Sequence, residues 1–152
     1  MHPPSPSTEH DDRGSAALEF ILVGLLLLVP ILYLVLALGA VQGQSLGAEA
    51  GARHIARVVA SAQDAPDAAG RAERVLAAVT AEYDLDPDAV SVALTCTPTG
   101  AACPEAGAVL TVTLRTTVAL PLVPPVLGFD DLARIPIEAT AVQKVSRVWG
   151  AR

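Results

Sequence analysis

The chain has 152 residues, a net charge of −6, 52% hydrophobic residues and only 3% aromatic ones. That length leaves room for one small domain beside any membrane segment. The acidic balance excludes the basic footprint of a nucleic-acid binder. Aliphatic and alanine side chains must therefore supply nearly all the apolar surface.

Residues 1–14 are polar and rich in Pro, Ser and Asp, too poor in apolar side chains to fold alone. From Phe20 to Val41 there is no charged side chain. As a helix this run would extend about 33 Å, enough to cross a hydrocarbon core. It is also far longer than the roughly 7–15-residue core of a cleavable secretory signal. A weak small-x-small site at Ala37-Leu38-Gly39 keeps a released, secreted product as a competing reading. One long helix is predicted over residues 15–62, with its transmembrane part at 20–41. Pro30 should bend rather than end it, because lipid offers the backbone no other partner.

Asp64 is the predicted N-cap of a second helix, with Pro66 in its first turn and an end near Tyr83. Ala72, Val75, Leu76 and Val79 recur at helical spacing. Three runs then alternate with period two. Val90, Val92, Leu94 and Cys96 form the first. Leu110, Val112, Leu114, Val118 and Leu120 form the second, and Ile135, Ile137, Ala139 and Ala141 the third. Each should bury one face only. The expected fold is α+β: a long N-terminal transmembrane helix continuing into a small domain at 63–152. That domain holds the second helix and a three-stranded, mainly antiparallel sheet packed on it, and on the end of the first helix. A proline-rich apolar loop, Pro121 to Phe129, separates the last two strands.

Arg13-Gly14-Ser15-Ala16-Ala17-Leu18-Glu19-Phe20 sets a small-residue junction before a single acid at the mouth of the apolar run. An ionised carboxylate there needs a partner or a place at the headgroups. A cut after Gly14 would make an amine at Ser15, one helical turn from Glu19. This string resembles a class III prepilin-peptidase site. With the long helix and Gly51-Ala52-Arg53, the chain resembles the TadE-like pseudopilins of tight-adherence (Flp-type) pili. The resemblance is strongest over residues 13–57. It implies a 1–14 leader cut between Gly14 and Ser15, with Glu19 and Phe20 acting in assembly. It further implies as partners a prepilin peptidase, other pilins and the assembly machinery, at the cytoplasmic membrane with an extracytoplasmic C-terminal domain. Arg13 before the span and Arg53 and Arg57 after it do not themselves favour that orientation; the resemblance and the cysteine pair do.

Gly39, Gly43, Gly47 and Gly51 recur every four residues. Such a row either admits a neighbouring helix closely or reflects plain Ala/Gly richness. Glu49, Arg53 and Arg57, four apart, should line a solvated face with a weak ion pair. Cys96 and Cys103 flank a Pro/Gly turn and should be bonded in an exported domain. Asp84, Asp86 and Asp88 lack the glycine and bidentate Glu of a calcium loop. No catalytic motif, cofactor site or metal-spaced cluster stands in the sequence. The expected function is structural and non-enzymatic, a minor pilin or pseudopilin. A surface adhesion or binding module with an uncleaved anchor is the alternative.

Overall fold

The computed structural model describes residues 12–98, 103–123 and 133–150, with side chains from Ala16 onward. Two helices and three strands follow in order: α1 (Asp12–Ala60), α2 (Ala65–Glu82), β1 (Ser91–Thr97), β2 (Val109–Ala119) and β3 (Arg134–Lys144). The strands form one antiparallel sheet in the order β1-β2-β3. The α+β expectation is met, element by element. Most of the Pro121-to-Phe129 loop, and the turn at 99–102 between the cysteines, lie outside the described residues.

The chain divides into two compact units, Met1–Ala37 and Leu38–Arg152. In the first, the large apolar side chains from Leu18 to Leu36 are 49–81% exposed. An 18-residue window of α1 reaches a mean hydropathy of 3.0, so this helix is long and apolar enough to cross a membrane. Pro30 lies inside α1 without ending it.

In the second unit the core lies between the helices and one face of the sheet. From α1 it takes Ala48, Ala52, Ile55, Ala56 and Val59. From the sheet it takes Leu110, Val112, Leu114, Ala139 and Ala141. The latter part of α1 is a core element of this second unit, which runs from Leu38. The spacing of Ala48, Ala52, Ile55, Ala56 and Val59 gives one helical face, and small alanines let the sheet approach closely.

The start of α2 is fixed by local chemistry. Asp64 is its N-cap, with Oδ1 accepting from the Asp67 N–H at 2.8 Å. Asp67 reaches back, its Oδ2 accepting from the Gln63 N–H at 3.0 Å. It also accepts from Arg71 Nε at 2.8 Å. The Asp64 carboxylate thus satisfies an N–H left open by the first turn, and Asp67 ties that turn to the Gln63 N–H before the cap. The Arg71 hydrogen bond, then that of the Gln63 N–H, holds the Asp67 carboxyl below the usual carboxylate range.

The middle strand follows its alternation fully: Leu110, Val112, Leu114, Thr116 and Val118 are buried. The edge strands follow it less. Leu94 of β1 is 39% exposed and Ile135 of β3 is 37% exposed. Edge strands have a neighbour on one side only, so the helix layer covers them incompletely. Pro136 lies in edge strand β3, opposite Thr117, where a missing N–H need not break a ladder bond. Beyond β3, Val145 is buried and Trp149 packs against the core.

Candidate functional sites along the first helix and the sheet

α1 begins at Asp12, three residues before the predicted start. The junction Gly14-Ser15 therefore lies within the helical backbone, and its side chains fall outside those described. Glu19 and Phe20 are both exposed, Phe20 at 81%. They head an apolar helix surface whose large aliphatic side chains are exposed from Ile21 to Leu36.

The glycine row divides in two. A Cβ at Gly39 or Gly43 would meet nothing within 4 Å. Both glycines line an open cleft of about 350 Å³ beside Glu82, Tyr83 and Asp84. A Cβ at Gly47 would stand 2.5 Å from Tyr83 Cγ and 2.6 Å from Tyr83 Cβ. At Gly51 it would stand 3.1 Å from Leu114 Cδ1 and 3.2 Å from Val79 Cγ1. Gly47 and Gly51 thus serve packing inside the domain, where they admit α2 and β2. Only Gly39 and Gly43 keep a face open to another helix. Sequence spacing alone could not separate these uses, because Tyr83, Val79 and Leu114 lie far along the chain from α1.

Near the same cleft, Gln44 Nε2 donates to the Asp84 carbonyl at 3.1 Å, tying α1 to the end of α2. Asp84 carries a positive φ of 52° at this turn. Asp86 Oδ1 accepts from the Asp88 N–H at 3.0 Å. Among the described residues no group of three potential metal ligands comes together.

Arg53 donates to Glu49 at 2.8 Å in the expected solvated pair, with the side chains 70% and 49% exposed. Cys96 and Cys103 are bonded, with Cα atoms 5.6 Å apart. The bond joins the end of β1 to the segment leading into β2. On the open face of the sheet, Arg115 and Glu138 stand directly opposite each other in register and pair at 2.8 Å.

Comparison of the chain with protein-family models, with curated proteins and with solved structures found no match.

Proposed function

We propose that this chain is a structural, non-enzymatic membrane protein: a minor pilin or pseudopilin of a tight-adherence (Flp-type) pilus assembly or secretion apparatus. The observation that carries the reading is the exposed, uncharged apolar surface of α1, headed by Glu19 and preceded by the Gly14-Ser15 junction. An apolar surface of that extent is unfavourable in water and favourable in a bilayer. α1 then works as a single-pass anchor in the cytoplasmic membrane. The disulfide supports an extracytoplasmic place for the sheet domain, since such bonds persist in oxidising compartments.

Processing supplies the assembly step. A membrane prepilin peptidase hydrolyses the Gly14–Ser15 peptide bond, leaving a carboxylate on the leader and an amine on Ser15. The product loses Glu9, Asp11, Asp12 and Arg13, so its formal charge rises from −6 to −4. The amine of one subunit then neutralises Glu19 of its neighbour, in a setting where an unpaired carboxylate is costly. Open positions at Gly39 and Gly43 let helices of neighbouring subunits approach.

N-terminal mapping and intact mass of the membrane-fraction protein test the reading. The expected product begins at Ser15, and Gly14→Ala should accumulate as an inserted, uncut precursor. Retention of residues 1–14 in a peptidase-positive host would overturn it in favour of a surface module with an uncleaved anchor. A new terminus beyond Gly39 would instead mark a secreted product.

A further inference from the structure

The outer edge of β3 is free in a way that its hydrogen-bond pattern defines. β3 pairs with β2 in an unbroken register from Arg134 to Lys144. Just outside that stretch, the Leu120 N–H donates to the Ala133 carbonyl at 3.0 Å, and the Val145 N–H donates to the Ala108 carbonyl at 2.9 Å. Antiparallel ladders alternate, so odd-numbered residues of β3 turn their main-chain groups toward β2 and even-numbered ones turn them away. The N–H groups of Glu138, Thr140, Val142 and Lys144 therefore face outward. None of them meets an acceptor among the described residues.

Both ends of this edge are closed. Pro136 has no N–H to offer. The Ser146 N–H is taken by the Ala60 carbonyl at the end of α1, at 3.3 Å. Natural edges are often blunted by proline and charge against open-ended pairing. Here the blunting confines the free stretch to residues 138–144 and leaves its middle, Thr140 and Val142, without a charge. Val142 is 62% exposed.

Beside this edge runs a groove of about 370 Å³, with Arg53, Ala56 and Arg57 of α1 on one wall and residues 140–143 of β3 on the other. Ala56 and Ala141 carry only methyl groups and so leave room in the groove. Its charge is positive in a chain that is otherwise acidic. Arg53 shares its charge with Glu49, whereas Arg57 and Lys144 make no ion pair among the described residues.

We propose that the outer edge of β3 and the adjoining arginines form a docking groove for an extended, acidic segment of a partner polypeptide, bound as a fourth strand. Main-chain hydrogen bonds to Thr140 and Val142 hold the backbone, as in other strand-addition interfaces. Alternate side chains of the segment point toward α1. Carboxylates on that face meet Arg53 and Arg57, in the room that Ala56 and Ala141 leave. This site does not depend on the membrane reading above, because all of it lies in the sheet domain.

The test titrates full-length protein in detergent with an end-blocked heptapeptide alternating threonine and glutamate, followed by amide NMR shifts. Controls are the threonine–lysine heptapeptide and the acidic peptide N-methylated at alternate residues. The expected result is saturable binding of the acidic peptide with shifts at Thr140, Val142 and Lys144, and no binding of the lysine peptide. Arg57→Glu should weaken binding by roughly tenfold, as reversal of an interfacial charge does. Arg57 is solvent-exposed, so this variant should keep its fold and disulfide. Val142→Pro removes an outward N–H without breaking the β2 ladder and should weaken binding too, as should N-methylation. Absence of saturable binding, equal binding of the lysine peptide, or affinity unchanged in both variants would overturn the proposal. So would identical shifts on concentrating the protein alone, which would assign the edge to a second copy of this chain.

Discussion

Alanine replacement along the glycine row should change sign partway along it. In an exposed helix, Gly→Ala stabilises by about 1 kcal/mol, because glycine loses more backbone freedom on folding. Gly43→Ala meets nothing within 4 Å and should be neutral or gain up to that amount. Gly47→Ala adds a methyl 2.5 Å from Tyr83 Cγ and 2.6 Å from Tyr83 Cβ. The obstructing atoms are the root of the side chain, so a rotamer change cannot clear them. Tyr83 is also the C-cap of α2, with its N–H bonded to the Val79 carbonyl, so relief requires movement of the helix end. Overpacking of this kind costs about 1–3 kcal/mol. Set against the propensity gain, Gly47→Ala should destabilise the domain by roughly 1–2 kcal/mol. Gly51→Ala meets the flexible ends of Leu114 and Val79 at 3.1 and 3.2 Å and should lie between the two. Urea unfolding of the sheet domain in detergent, followed by circular dichroism, reads this as a midpoint lowered by about 0.5–1 M for Gly47→Ala. Equal midpoints for Gly43→Ala and Gly47→Ala would refute the division of the row.

Glu19→Ala should preserve expression, insertion and the disulfide yet reduce photo-cross-linking to partner pilins, with Glu19→Asp intermediate; unchanged cross-links and normal pilus output would make Glu19 a mere interfacial acid. Thr116 is 2% exposed and its hydroxyl has no partner among the described residues. Thr116→Val should therefore stabilise by about 1 kcal/mol in the same unfolding assay, and a loss of stability would reveal a partner for the hydroxyl. Asp67, whose carboxyl is held below the usual range mainly by Arg71, contributes stability that is present above its unfolded value of about 3.9. That contribution is lost as pH falls through the lower folded value. Asp67→Asn should accordingly flatten the acid limb of the stability–pH profile, and an unchanged limb would refute the assignment.

Local signals proved legible. Asp64 and Pro66 mark the start of α2 because capping and proline geometry act within one turn. Period two marks β2 because both its neighbours and the helix layer enforce one buried face. At Thr116 the parity of the strand predicts burial although the residue type argues against it, and the run of alternating apolar residues passes over that position. What could not be read was long-range. Tyr83 filling the space above Gly47, and Ala60 closing the end of β3, depend on chain segments that only the fold brings together. The terminal anchoring by Val145 and Trp149 had a weak signal, two apolar residues four apart after the last strand, too short to define an element.

α1 is made of side chains suited to two different surroundings, and the change falls where the charges begin. Over residues 20–36 the side chains are mostly large, aliphatic and exposed, which suits a solvent that makes no distinction between helix faces. From Ala48 onward the composition becomes faced: Ala52, Ile55, Ala56 and Val59 are buried, while Arg53, His54 and Arg57 are exposed. A faced helix needs one fixed partner, and the sheet provides it. The alanines at 52 and 56 bring that sheet close enough for the outer edge of β3 to lie beside Arg53 and Arg57. Bulkier residues there would push the strand outward and separate the edge from its charges. The small-residue composition of α1 thus fixes the packing of the core and, through it, the geometry of the groove.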